Sequence, residues 1–200
     1  MPDTAAVATL RVIDAPTIDR DAVEDAVRAM LIGLGQDIDD EHLRDTPRRV
    51  ASAYAQMLSP EPFDMTTFAN DEGYRELVLV TRIPFQSLCA HHMLPFQGVA
   101  HVGYVPADRL VGLSKLARVV QWFARGLQVQ ERLTELIANC LDINLAPAGI
   151  GVALEADHAC VSLRGAHAVG AKTTTSALRG VLLDDPSQRA EFFAQIRRMP

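Results

Sequence analysis

The segment 87–92, Ser-Leu-Cys-Ala-His-His, carries side chains that bind transition metals. Cys89 and His92 are three residues apart, so one turn can present both to the same ion. A second segment, His158-Ala159-Cys160, offers a third ligand in Cys160. Two thiolates and one imidazole would leave a tetrahedral zinc ion with one open position, as in catalytic zinc sites. The alternative is a buried thiol beside a surface histidine.

Two further histidines, His91 and His158, lie next to these candidate ligands. Imidazoles titrate near neutral pH and can carry protons to and from a reacting group. The alternative role for each is a hydrogen bond to a metal ligand or to a backbone carbonyl. Cys140 lies on the apolar face of a helical pattern, so we assign it to the core. We interpret His101 and His167 as surface or structural residues.

A candidate anion site begins at Gly112. Ser114 is a possible helix cap, and the first turn of a helix offers free N–H groups and a positive dipole end to a phosphate. Lys115 and Arg118 are three residues apart and can face the same anion. Arg164 could join them from a strand. The alternative is an ordinary solvated helix start.

Glu131 is a candidate for recognising a base. A carboxylate can accept two hydrogen bonds from an N–H/NH₂ edge such as that of guanine. The commoner fate of a glutamate on a helix surface is pairing with an arginine, and Arg132 follows directly in the sequence.

Hydrophobic periodicity places these residues on a mixture of helices and strands. Helical patterns cover residues 19–34, Thr46-Pro47 to Ser59, 114–127, 130–145 and a short C-terminal segment around Phe192 and Phe193. Short apolar runs typical of strands cover 77–80, 98–105, 110–113, 150–155, 159–163 and 176–183. The order of these elements predicts an α+β domain with an antiparallel sheet.

Length and charge exclude several classes of protein. The chain has 200 residues, with 19 basic and 25 acidic side chains and a net charge of −6, which argues against a protein that coats nucleic acid. No apolar run reaches the roughly 20 residues of a membrane-spanning helix. The N-terminus lacks a basic stretch followed by a long apolar core, so we expect no secretion signal. The three cysteines are then expected to be reduced thiols in a cytoplasmic protein.

Taken together, these segments closely resemble the GTP cyclohydrolase I family, the zinc enzymes that open pterin and folate synthesis. The resemblance runs from about Thr46 to the C-terminus. It is densest in SLCAHHMLPFQGVAHVGYVP, VGLSKLARVVQWFARGLQVQERLT and LEADHACVSLRGAHAVGAKTTTS. Several long blocks in the same order are far more specific than any single motif.

The resemblance implies a tunnelling fold, with a helix pair on one face of an antiparallel sheet. Residues 1–60 would form an N-terminal helical segment and residues 61–200 the catalytic domain. The family forms homodecamers whose active sites lie at subunit interfaces, so more than one chain would contribute to each site. The expected partners are the substrate GTP and further copies of the chain, with neither nucleic acid nor a membrane.

The resemblance also implies roles for individual residues. Cys89, His92 and Cys160 would bind Zn²⁺. His91 would exchange a proton with the imidazole ring of guanine, and His158 would serve the ring-opening hydrolysis and contact the ribose. Glu131, with Gln130 beside it, would bind the guanine edge of the substrate. The triphosphate would be held by Ser114, Lys115, Arg118 and Arg164. The implied reaction converts GTP and water to formate and 7,8-dihydroneopterin triphosphate.

One position departs from the family pattern, which is Cys-Glu-His-His where this chain has Cys-Ala-His-His. Ala90 can neither accept a proton nor make a side-chain hydrogen bond. Three explanations remain open. The chain is a working cyclohydrolase that is slower or is compensated, for example by Asp157. In the second explanation, the chain is a specialised paralogue whose reaction is altered or stops at the ring-opened formamide. The third is a non-catalytic homologue that binds nucleotide.

Overall fold

The computed structural model describes residues 17–198 of the chain. These residues form two compact units, 17–60 and 61–198. The opening residues, on which the expectation of no secretion signal rests, are mostly outside the described range. Within that range, no helix combines the length and the apolar character that crossing a membrane requires.

The first unit consists of two helices, α1 (Arg20–Gly33) and α2 (Thr46–Leu58), which pack against each other. The carboxylate of Asp19 accepts a hydrogen bond of 3.0 Å from the backbone N–H of Ala22 and so caps α1. Pro47 lies in the first turn of α2, where a missing N–H costs no intrahelical hydrogen bond. Both helices agree with the periodicity of the sequence.

The second unit is built on a five-stranded sheet. Its strands are β2 (Val78–Cys89), β3 (Pro95–Val105), β5 (Leu127–Gln128), β6 (Gly149–His158) and β7 (Thr173–Gly180). Their spatial order is β5-β2-β3-β6-β7. All neighbours run antiparallel except the short β5, which is parallel to β2. Two further strands, β1 (Thr67–Ala69) and β4 (Arg109–Val111), pair with each other in a separate small sheet.

A helix pair, α3 (Leu113–Ala124) and α4 (Gln130–Leu145), covers one face of the larger sheet. The core between them is apolar and almost completely buried; it includes Phe85, Phe96, Val102, Leu116, Val120, Leu133, Ile137, Leu141, Val152 and Leu154. Cys140 belongs to the same core, as predicted, and burial raises the pKa of its thiol to about 11. An α+β fold with a helix pair on one face of an antiparallel sheet is thereby confirmed.

The opposite face of the sheet is partly covered by the C-terminal helices α6 (Val181–Asp184) and α7 (Pro186–Arg197). Phe192 of α7 is fully buried against this face. A Cβ atom at Gly151 would lie only 2.8 Å from the Phe192 ring. Glycine at this position of β6 is therefore what lets the last helix approach the sheet.

Several predicted details differ from the structure. The apolar run 159–163 is not a strand, because β6 ends at His158 and Ala159–Ser162 forms a helical turn, α5. Short apolar runs do not distinguish a buried strand from a turn of helix. The last strand ends at Gly180, whose φ of 52° bends the backbone into α6. The N-cap of α3 is Gly112 and not Ser114, which lies in the first turn.

Candidate active site

The ends of three neighbouring strands bring the candidate metal ligands together. Cys89 is the last residue of β2, His92 lies in the turn from β2 to β3, and Cys160 follows β6 in α5. Because β3 pairs with both β2 and β6, the three residues meet where these strands end, at the same end of the sheet. Their ligand atoms all lie within 4.8 Å of one another. The register of the sheet thus brings together Cys89 and Cys160, which are 71 positions apart in sequence.

The turn that holds two of these ligands is tightly closed. The backbone N–H of Cys89 donates to Leu94 O at 2.8 Å, and the N–H of Met93 donates to Cys89 O at 2.8 Å. Met93 has a φ of 56°, in the left-handed region that non-glycine residues seldom adopt. The turn folds His92 back so that its Nδ1 lies 3.7 Å from Cys89 Sγ. Strain of this kind is typical of turns that position functional groups.

The donor set fits a zinc ion. Bonds of about 2.3 Å to sulfur and about 2.0 Å to nitrogen place two ligand atoms of a tetrahedral zinc roughly 3.5 Å apart. The sulfur–nitrogen distance in the turn is close to that spacing. Partial burial and the neighbouring Cys89 thiol raise the pKa of Cys160, and Arg164 opposes this. Two adjacent thiols are both ionised most readily with a cation between them, which a divalent metal supplies.

His158 lies beside this cluster in a closely packed setting. Its ring stacks on the ring of Phe96, with centroids 4.5 Å apart and planes 5° from parallel. Its Nε2 lies 2.7 Å from Oε1 of Gln130. Burial lowers the pKa of His158, while the carboxylates of Glu131 and Asp157 oppose that shift. The imidazole is therefore held in a fixed plane next to the metal ligands.

His91 is exposed at the surface of the same turn. Its ring meets that of His92 edge to face, with centroids 6.2 Å apart. The guanidinium of Arg164 lies 2.9 Å from Nε2 of His92. The structure thus places one exposed imidazole and one guanidinium within reach of a ligand bound at the cluster.

The short strand β5 ties the start of α4 to the metal-binding turn. Leu127 and Gln128 pair with Leu88 and Cys89, and the backbone N–H of Ala90 donates to Gln128 O at 2.9 Å. The side chain of Ala90 is exposed. The strand β5 therefore supplies no carboxylate in place of the glutamate that the family pattern has where this chain has Ala90.

The first turn of α4 carries Gln130 and Glu131 with opposite exposures. Gln130 is only 2% exposed, whereas Glu131 is exposed. Arg132 bonds to Gln128 Oε1 at 3.1 Å and to Leu127 O at 2.6 Å, and does not pair with Glu131. Among the described residues, no ion pair involves Glu131, so its carboxylate is available to a ligand.

The predicted phosphate residues of α3 are the remaining members of the expected site. Ser114 and Arg118 are exposed and Lys115 is half-buried. Within residues 17–198, no hydrogen bond or ion pair joins these three side chains to the metal cluster. A single chain therefore gathers the metal ligands, both histidines, Glu131 and Arg164, but leaves the cations of α3 without a connection to them.

Sequence reasoning named Asp157 but missed its ion pair, and it gave no role to Phe96. Phe96 supplies the stacking surface for His158, and its place opposite His158 follows from the register of β3 and β6. Asp157 forms an ion pair of 3.7 Å with Lys172 and precedes His158 on β6, so its side chain lies on the other face of the sheet. No local motif marks either contact, because both partners are distant in sequence.

Comparison with known proteins agrees with the site. Residues 23–197 match the family model described as GTP cyclohydrolase I. The chain is 48% identical over 180 residues to the GTP cyclohydrolase 1 of Aquifex aeolicus, an alignment covering 90% of this chain and 98% of that protein. It is 51% identical over 183 residues to the Streptomyces griseus protein of the same name, covering 89% and 90% of the two chains. The Hydrogenobaculum protein of that name is 43% identical over 181 residues, covering 90% of this chain and 100% of its own. On both the family model and these relatives, the chain belongs to the GTP cyclohydrolase I family and has its α+β tunnelling fold.

Proposed function

We propose that this chain hydrolyses GTP to formate and 7,8-dihydroneopterin triphosphate, the first step of pterin and folate biosynthesis. The observation that carries the proposal is the meeting of Cys89, His92 and Cys160 beside a stacked, hydrogen-bonded His158. A metal site next to an imidazole suits hydrolysis at a ring carbon, because the metal can activate water and the imidazole can transfer a proton. The relatives named above carry the corresponding enzyme name.

Cys89, His92 and Cys160 would hold the metal, which we propose to be Zn²⁺. When bound, zinc would supply Lewis acidity that makes water nucleophilic near neutral pH. The chain contributes the shape of the site: the closed turn at 89–94 fixes two ligands, and α5 presents the third.

The two histidines would move protons. His91, exposed on the metal-binding turn, would exchange a proton with the imidazole ring of guanine. His158, held between Phe96 and Gln130, would serve the hydrolysis that opens the ring and would contact the ribose. Both lie within a residue or two of a metal ligand in sequence, so substrate bound at the cluster would meet both.

Glu131 would accept hydrogen bonds from the N–H/NH₂ edge of guanine, with Gln130 beside it. Its exposure and lack of an ion pair within the described residues support this role. Ser114, Lys115, Arg118 and Arg164 would hold the triphosphate. Binding the triphosphate at a distance from the reacting carbon orients the base without competing with the chemistry.

The chain would work as a homo-oligomer, which we propose to be a decamer with sites at subunit interfaces. Two observations support this. The cations of α3 have no connection to the metal cluster within the described residues, and β7 is an edge strand of the sheet, open to pairing with another chain. We propose residues 61–200 as the catalytic domain and 1–60 as a helical segment, acting in the cytoplasm on GTP without nucleic-acid or membrane partners.

The test is the reaction itself. Purified protein loaded with zinc is incubated with GTP, formate is quantified, and the products are identified by mass spectrometry. A Cys160→Ser variant purified in parallel shows whether any activity comes from the expression host. Formate together with dihydroneopterin triphosphate supports the proposal and shows that Ala90 is tolerated. A ring-opened formamide without formate supports the truncated reaction, and untouched GTP supports a non-catalytic homologue.

A further inference from the structure

The amide of Gln130 has only one possible orientation. Its Nε2 lies 3.0 Å from Thr173 O, 3.3 Å from Leu154 O and 3.1 Å from Thr175 Oγ1. Backbone carbonyls only accept hydrogen bonds, so the group facing them must be the NH₂. Rotating the amide by 180° would put its oxygen against two other oxygens in a buried site.

That orientation decides the protonation of His158. With the NH₂ on the carbonyls, Gln130 Oε1 faces His158 Nε2 at 2.7 Å. An amide oxygen only accepts, so Nε2 of the imidazole carries the hydrogen. In the neutral ring, Nδ1 is then the nitrogen with the free lone pair.

Two threonines complete the same network without ambiguity. The hydroxyl of Thr134 donates to Gln130 O at 2.8 Å, so it accepts from Thr175, whose Oγ1 is 2.7 Å away. Thr175 Oγ1 is thereby free to accept from Gln130 Nε2. Every donor in the chain from His158 to Thr134 has an acceptor, and a fully satisfied buried network is rigid.

We propose that Gln130 is a positioning residue that keeps His158 in the Nε2–H tautomer and reserves Nδ1 for proton exchange with the substrate. The inference rests on the proposed function for the catalytic part of His158's role. It assigns the side chain of Gln130 to His158 and not to guanine, because that side chain is 2% exposed and its oxygen and its nitrogen are both already bonded.

Nitrogen NMR of protein labelled with ¹⁵N-histidine tests the tautomer without reference to activity. The His158 signals are assigned from their loss in His158→Gln. We expect wild type to show a protonated Nε2 and an unprotonated Nδ1 at a pH where the ring is neutral. The opposite tautomer in wild type would overturn the proposal.

The kinetic test compares Gln130→Met with Thr174→Val. Methionine keeps the length and burial of Gln130 but cannot accept from His158, so we expect a mixture of tautomers. Loss of a correctly protonated proton carrier costs roughly 10²–10⁴-fold. Because a mixture keeps part of the population in the correct tautomer, we expect a smaller fall in kcat, of about 3–10-fold, with KM for GTP little changed. Thr174→Val removes an exposed hydroxyl one residue earlier on β7, and within the described residues no hydrogen bond joins that hydroxyl to Gln130, so tautomer and kcat should stay as in wild type.

Unchanged kcat and an unchanged tautomer in a folded Gln130→Met protein would show that Gln130 does not act through His158. A large rise in KM at constant kcat would instead assign its side chain to substrate binding and likewise contradict the proposal. If wild type hydrolyses no GTP, the proposed function fails, while the NMR result still decides whether Gln130 sets the tautomer.

Discussion

His158 and Phe96 face each other across β6 and β3 as direct register partners, and their rings stack with centroids 4.5 Å apart. Phe96 is 1% exposed, so it forms a fixed surface at the floor of the site. The plane of the His158 imidazole is thus set by core packing from one side and by Gln130 from another. A change in this pair should therefore affect both the folding stability and the role proposed for His158.

Phe96→Leu is expected to lower both stability and activity. Losing part of a buried ring costs on the order of 1–3 kcal/mol in the free energy of unfolding. The imidazole also loses its stacking surface, so kcat should fall. Phe85→Leu is the matched control, since Phe85 is similarly buried and touches Phe96 edge to face at 6.0 Å but has no ring contact with His158. Urea unfolding and GTP turnover should separate the variants; equal losses of activity in both would argue against the role of the stack.

Metal binding should depend on two of the three cysteines. Cys89→Ser and Cys160→Ser are expected to lose most of the bound zinc and the activity, because a hydroxyl is a poor replacement for a thiolate ligand. Cys140→Ala should retain zinc, since Cys140 lies in the core outside the cluster. Elemental analysis of the purified proteins measures this. Chelation of wild type should abolish activity, and added zinc should restore it.

Glu131→Gln is expected to weaken use of GTP. Hydrogen bonds to a charged group contribute about 1.5–3 kcal/mol, so kcat/KM should fall roughly 10–100-fold. Glu135→Gln on the same helix is the control, because Glu135 pairs with Arg179 within the chain. Steady-state kinetics should show a loss for the first variant and near wild-type values for the second; the reverse order would remove Glu131 from the guanine edge.

Two inactive variants should restore activity when they share an oligomer. Lys115→Ala removes a cation of α3, and Cys160→Ser removes a metal ligand. If each site takes these residues from different subunits, random co-assembly of equal amounts regenerates about a quarter of the sites. Co-expression with distinct tags and tandem purification provides the mixed oligomers. Complete inactivity of the mixture would show that one chain supplies both residues.

Acid should destabilise the protein partly through His101. This side chain is 7% exposed on β3, and within the described residues its Nδ1 has no hydrogen-bond partner. Burial lowers its pKa, Arg82 lowers it further, and Glu155 opposes the shift. The unfolded chain therefore binds a proton more readily than the folded one. The penalty is absent well above the ordinary pKa of an imidazole and grows as the pH falls below that pKa.

His101→Met removes this titration because it replaces the imidazole with an apolar side chain of similar length. Melting temperatures are compared at pH 8 and pH 5.5, with wild type and variant in the same buffers. We expect Tm to fall less for the variant over this interval. An equal or larger fall in the variant would show that His101 does not contribute.

The elements with strong local signals were predictable from the sequence. The bounds expected for α4, residues 130–145, are those observed, because its apolar spacing is regular and Pro147 stops it. The predicted strand at 77–80 is in fact the start of β2, which continues to Cys89. Its second half alternates buried and exposed residues around Pro84, and the proline hid that pattern.

The site was predictable in its residue types but not in its arrangement. Cysteine and histidine at short spacing identify a metal site chemically, and the cluster at Cys89, His92 and Cys160 agrees with that. Contacts such as Phe96 with His158 or Gln130 with Thr173 depend on strand register and on helix placement. Neither is encoded in a local pattern, so a core phenylalanine and a buried glutamine gave no sign of their roles.

Two residues of β5 determine where the chain can change length. Leu127 and Gln128 are locked to Leu88 and Cys89, and α4 begins two residues later. An insertion between Gln128 and Gln130 would lengthen the single-residue link between β5 and α4, and so would change the position of Glu131 relative to the metal-binding turn. Insertions at 71–76, an exposed turn, leave this spacing intact. An insertion scan should therefore find the segment 71–76 permissive and the link between Gln128 and Gln130 intolerant.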